Sequence, residues 1–132
     1  MRIEEFDRME AREAAELLRR CVPIDSWAEA VLEQRPYAAV ADLLACARMH
    51  AATWTPEEVE AALVDEPSGH GADDRYQRRF GRVYLVSPRG RSTEELRDLL
   101  EERLANDAQT ELSVTKEQLA EVALLRLEAA FG

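Results

Sequence analysis

An all-α fold is what this sequence predicts: a compact single-domain bundle of about six to eight helices, with one short extended segment near 82–86. Three observations point there. The 132 residues include only five Gly and five Pro, and Ala, Leu, Glu and Arg, all good helix formers, are abundant. Apolar residues recur at three- and four-residue spacing along most of the chain. Strong helix starts stand at Thr55-Pro56-Glu57-Glu58 and at Ser92 with Glu95. At 15.0 kDa the chain, residues 1–132, is expected to form one domain.

Each element follows from local chemistry. Ala11, Ala14, Leu18 and Cys21 share one helical face, and Pro23 ends that helix. Asp25 or Ser26 can cap the next helix, which turns Trp27 and Val31 inward. Arg35-Pro36 interrupts the chain, because a residue before Pro avoids helical dihedrals. Val40, Leu43, Leu44, Ala47 and Ala51 mark a third helix, and Val59 and Leu63 the buried side of a fourth. The run Asp65 to Gly71 is loop chemistry. A short helix from Asp73 or Asp74 precedes Phe80-Gly81-Arg82-Val83-Tyr84-Leu85-Val86, which reads as extended. One such segment cannot build a sheet, so it is expected to lie across helices. Leu96, Leu99, Leu100 and Leu104 form another apolar face, Asn106 ends that helix, and a last helix begins near Thr110. It carries Leu112, Leu119, Val122, Ala123 and Leu127.

The charge balance excludes some partners. With 17 Lys and Arg against 27 Asp and Glu, the net charge is −10. Binding to a phosphate backbone rests on neutralising phosphates with cations, so nucleic acid is not an expected partner. No apolar run reaches the length of a membrane span. The opening Met1-Arg2-Ile3-Glu4-Glu5 is too acidic for a targeting signal, and a reducing cytoplasm is the expected compartment. Between Arg75 and Arg91 there are six Arg and no acid. That strip can attract a small carboxylate, or it can be a solvated face paired with neighbouring acids.

Few side chains suggest chemistry alone. Arg126 sits on a stripe with Leu119, Val122 and Ala123, where it must snorkel, pair with an acid or face a polar cavity. His70, between two glycines, can reach a cleft or sit in an exposed loop; His50 is expected at the surface or satisfied inside. Two histidines without a His-x-x-x-His pair make no metal site. Cys21 and Cys46 lack CxxC spacing and read as small buried hydrophobes.

An ordered set of motifs goes further. Phe6-Asp7, Leu18 to Cys21, Trp27-Ala28, Arg35-Pro36-Tyr37 and Trp54-Thr55-Pro56-Glu57 come first. Tyr76 to Val86, Gly90-Arg91-Ser92, Arg103 to Asn106, Glu111-Leu112 and Leu125-Arg126-Leu127 follow. Together they resemble the OHCU decarboxylase family, whose substrate is 2-oxo-4-hydroxy-4-carboxy-5-ureidoimidazoline. The resemblance covers most of the chain except the central loop.

What the resemblance implies is an all-helical, cofactor-free carboxy-lyase of urate breakdown that yields (S)-allantoin from a small carboxylated ureide. It implies substrate contacts from Pro67, Tyr84, Leu85, Val86, Ser87, Pro88 and Arg126. The family pattern has a catalytic His before the Pro and a partner Glu after it. Here Glu66 stands in the His position, and the segment bearing the partner Glu is shortened away. His70 or Glu66 is then the expected proton donor. A noncatalytic binding or protein-interaction module is the alternative reading. The resemblance also implies a homodimer, for which Trp27, Val31 and Tyr37 are candidate exposed contacts.

Overall fold

The computed structural model describes residues 1–64, 66–67, 74–87 and 90–132. Among them are eight helices and no strand: α1 (Ile3–Arg8), α2 (Ala11–Cys21), α3 (Asp25–Glu33), α4 (Val40–Ala51), α5 (Pro56–Leu63), α6 (Asp74–Phe80), α7 (Thr93–Leu104) and α8 (Ala108–Ala129). The all-α expectation holds. Two compact units divide the chain, one of Met1–Thr55 with Ala120–Gly132, the other Pro56–Leu119.

In the first unit α2 packs on α3 and α3 on α4. The α2 stripe buries Ala14, Leu18 and Cys21 as its spacing requires. Trp27 anchors α3: its indole donates to the Ala47 carbonyl at 2.9 Å and meets Trp54 edge-on, centroids 6.2 Å apart. The bond satisfies the one polar atom of a ring that brings a large apolar area into the core. Trp27, Val31 and Tyr37 are 1%, 0% and 8% exposed, so the proposed dimer contacts are instead core residues. The Tyr37 hydroxyl donates to the Val31 carbonyl at 2.6 Å. Neither Asp25 nor Ser26 caps α3; Ile24 occupies the N-cap without a side-chain bond. Asp25 lies in the first turn and takes Arg19 Nε at 2.9 Å.

The six-residue α1 is too short to persist on helical propensity and draws its stability from tertiary contacts. Arg35 Nη1 donates to the Phe6 and Met9 carbonyls, 2.8 Å each, which satisfies acceptors at the helix end. The same guanidinium lies over the Phe6 ring, 5.6 Å from its centroid. Asp7 Oδ1 accepts from the Tyr37 main-chain N–H at 3.0 Å, and the Arg35–Pro36 peptide between these partners is cis.

In the second unit Tyr76, Tyr84, Val86 and Leu100 form a core, with Phe80, Leu96, Leu99 and Leu104 packed on it. The capping box predicted for α7 is present, with Ser92 Oγ accepting from Glu95 N at 3.1 Å. The last helix starts at Ala108 rather than near Thr110, because Asp107 Oδ1 accepts from Thr110 N at 2.7 Å and so caps it two residues earlier. That backbone bond is the main reason the Asp107 carboxyl lies below its ordinary pKa.

Candidate functional site

The extended segment after α6 begins at Gly81, whose φ of +70° lies in the left-handed region that favours glycine. Its N–H closes the helix on the Gln77 carbonyl at 2.8 Å. Tyr84, Leu85, Val86 and Ser87 follow, all buried. No strand pairs with them among the described residues, so side chains must satisfy their main chain. Arg103 Nη1 donates to the Leu85 carbonyl at 2.5 Å, and Gln118 Oε1 accepts from the Ser87 N–H at 2.7 Å. Among the described residues the Tyr84 hydroxyl and Ser87 Oγ are buried with no hydrogen-bond partner. An unsatisfied buried hydroxyl costs about 1–3 kcal/mol, and a ligand offering a partner would offset that.

Arg103 is the centre of a buried polar network. It is 1% exposed and its partner Glu111 is 0% exposed. Nε and Nη2 of Arg103 approach Glu111 Oε2 at 2.8 and 2.6 Å. The same carboxylate oxygen accepts from the Tyr76 hydroxyl and, at 3.3 Å, from Thr115 Oγ1. Glu111 Oε1 accepts from Asn106 Nδ2 at 3.2 Å. The guanidinium carbon lies 4.6 Å from the Tyr84 ring centroid and 5.6 Å from that of Tyr76. Arg103 lies in the last turn of α7 and Glu111 in the first turn of α8, so each charge also meets the favourable end of its own helix dipole.

Burial pushes both the Tyr76 and Tyr84 phenols above their ordinary pKa range; for Tyr76 the hydrogen bond to Glu111 adds to the rise. Burial works against the Arg103 charge, but hydrogen bonding and attraction from Glu111 outweigh it and raise its pKa. At neutral pH the unit therefore holds protonated phenols beside a fixed cation.

The remaining expected residues are placed unevenly. Glu66 is buried, its N–H on the Leu63 carbonyl at 3.0 Å, and Pro67 is exposed. His70 and Pro88 lie outside the described residues. A cleft of about 200 Å³ opens in this unit beside Glu60, Leu63, Gln77 and Arg82, and among the described residues none of the expected site residues lines it. Part of the arginine strip is committed: Arg75 pairs with Glu101 at 2.7 Å, Arg82 with Glu60 at 2.8 Å, and Arg79 donates to the Asn106 carbonyl at 2.6 Å. The reading as a face paired with acids therefore holds at Arg75 and Arg82.

Arg126 belongs to the first unit. The residue is exposed, yet its Nη1 donates to the Cys21 carbonyl at 2.9 Å, which restrains the guanidinium. It therefore does not face a sealed cavity. Burial raises the Cys21 thiol to about 11, against the opposing pull of Arg126 and Arg20. His50, expected to be satisfied if interior, is half-buried, and its Nε2 has no partner among the described residues. Among the described residues no cluster of three His, Cys, Asp or Glu could hold a metal ion, and no helix is long and apolar enough to cross a membrane.

Reading the sequence missed Arg103, Glu111 and Thr115 as a unit. The signal was there: an Arg three residues past Leu100 on the buried face of α7, and Glu111 and Thr115 four residues apart ahead of Leu119.

The comparisons with known proteins bear on this geometry. A family model described as OHCU decarboxylase matches residues 7–68 and 70–128. The fold is similar to a crystal structure of (S)-allantoin synthase, with TM-score 0.79 and 16% identity, over 98% of this chain and 53% of that one. It is also similar to a crystal structure of OHCU decarboxylase in the presence of (S)-allantoin, with TM-score 0.70 and 15% identity, over 86% of this chain and 95% of that one. The chain thus spans about half the length of the (S)-allantoin synthase chain. No curated protein sequence matches it. A family match that takes in the Tyr84–Ser87 segment, the Arg103–Glu111 network and Arg126 together places this chain in the OHCU decarboxylase family.

Proposed function

We propose that this protein is a carboxy-lyase that converts 2-oxo-4-hydroxy-4-carboxy-5-ureidoimidazoline to (S)-allantoin, without a cofactor, in urate breakdown. The family match over residues 7–68 and 70–128 carries the reading. In the reaction the carbon–carbon bond to the carboxylate breaks and carbon dioxide leaves. The electron pair passes into the ring imine, and a proton added to one face of the ring fixes the configuration. The protein's share is to orient the leaving carboxylate, stabilise the developing anion and direct that proton.

Residues fall into roles on that reading. Arg126, a restrained and accessible guanidinium, binds a substrate carboxylate. The Tyr84–Ser87 segment offers main-chain groups and the buried hydroxyls of Tyr84 and Ser87. Pro67 and Pro88 complete the substrate contacts, and Glu66 or His70 delivers the proton. The same reading has the protein at work in the cytoplasm, supported by two free thiols, and as a homodimer, as the family resemblance implies.

The test is direct. The unstable substrate is generated in situ from urate, the protein is added, and the optical activity of the allantoin is followed. Rapid appearance of the S enantiomer is expected. Racemic allantoin formed at the uncatalysed rate would overturn the reading and leave a noncatalytic module.

A further inference from the structure

We propose that Arg103 is a positioning residue of the reaction: clamped by Glu111, it fixes the main chain of Tyr84 to Ser87 in the conformation that receives substrate. The inference rests on the reading of that segment as a substrate wall.

An extended segment without a partner strand has no hydrogen-bond ladder to hold its register. Two side chains hold it here. Gln118 takes the Ser87 N–H at 2.7 Å, and Arg103 gives Nη1 to the Leu85 carbonyl at 2.5 Å. The guanidinium cannot swing away, because Nε and Nη2 are committed to Glu111 at 2.8 and 2.6 Å. Its face is set by the Tyr84 ring, 4.6 Å from the guanidinium carbon. Only a planar fork can bind a carboxylate on one edge and a carbonyl on the other while stacking on a ring; a lysine ammonium cannot.

Stability alone does not account for this choice. Well-packed apolar residues commonly stabilise a core as well as a buried ion pair does, or better. What the pair adds is a defined place for one carbonyl in the middle of the segment.

The experiment compares Arg103→Lys, Glu111→Gln and Val59→Ala, the last removing buried methyls from α5 in the same unit. Amide hydrogen exchange is read at Val86 and Ser87, and kcat and KM are measured below the unfolding midpoint of every variant. Arg103→Lys is expected to speed exchange at these amides at least tenfold and to lower kcat at least tenfold. Glu111→Gln should fall between it and the parent, and it carries the comparison if Arg103→Lys does not fold. Val59→Ala should leave both readouts within twofold. Unchanged exchange in the Arg103 and Glu111 variants, or an equal loss in Val59→Ala, would overturn the proposal. If the parent protein turns over no substrate, the decarboxylase reading is lost, and the exchange comparison still decides whether Arg103 positions the segment.

Discussion

Arg126 Nη1 donates to the main-chain carbonyl of Cys21, 2.9 Å away and 105 positions earlier in the chain. Cys21 is the last residue of α2, so its carbonyl lies at the electronegative end of that helix. The contact pins an exposed cation through one nitrogen. Arg126→Met is accordingly expected to lower kcat/KM by about 100-fold or more, the scale of removing one preorganised donor. The cost in urea-unfolding stability should be smaller in proportion, on the order of 1 kcal/mol. A loss of stability without a loss of activity would assign Arg126 to the fold alone.

Glu111 bears a different kind of burden. Its carboxylate is the counter-ion of a fully buried guanidinium and accepts from Tyr76, Thr115 and Asn106 as well. Glu111→Ala leaves Arg103 charged and without a counter-ion, which should destabilise by about 3–5 kcal/mol. Replacing both, as Arg103→Met with Glu111→Leu, removes the two charges together and should recover most of that stability. Urea unfolding of the two single variants and the double variant gives the coupling, and additive losses would refute the pairing argument.

Periodicity was sufficient to read the helices that bury an apolar stripe, as in α2, α4 and α7, because amphipathic spacing is itself the physical cause of their burial. It gave no sign of α1, whose end is held by Arg35 from 29 and 26 residues away. The motifs that mark the family turn out to be partners. Phe6-Asp7 bonds Arg35 and Tyr37, Trp27 meets Trp54, and Tyr76, Arg103 and Glu111 form one network. Such long-range pairs leave no periodic trace, so a resemblance could locate them but spacing could not pair them. Tyr84 to Ser87 and Arg126 were legible as candidates. That Arg103 holds that segment was not, since an Arg among leucines at the end of α7 reads equally as a snorkelling surface residue.

Proton delivery can be assigned by two variants. On the proposed reading the donor is Glu66, a buried carboxyl, or His70. General acid–base assistance is worth about 100- to 10,000-fold, so Glu66→Gln or His70→Ala should lose kcat on that scale, whichever residue is the donor. Stopped-flow decay of the substrate absorbance measures both. If neither variant slows the reaction, both assignments fall.

The α7 capping box offers a control separate from catalysis. Ser92 Oγ accepts from Glu95 N at 3.1 Å, and the Glu95 side chain returns to the Ser92 N–H at 3.3 Å. Ser92→Ala should cost about 1 kcal/mol in urea unfolding with kcat/KM within twofold. A large loss of activity would mean that the start of α7 does more than terminate a helix.

Alkaline pH should weaken the fold through Cys21. Burial raises its thiol from an ordinary 9.0 to about 11, so between those values the folded protein keeps a proton that the unfolded chain has released. The folded state binds more protons in that window, and stability therefore falls as pH rises through it, with the contribution intact below pH 9. Over the whole interval the loss approaches about 2 kcal/mol. Cys21→Ala removes the titrating group, so its unfolding free energy should decline less between pH 9 and 11 than that of the parent. Parallel pH profiles for the two proteins would show that the thiol contributes nothing to the alkaline limb, and that Arg126 and Arg20 hold it near its ordinary value.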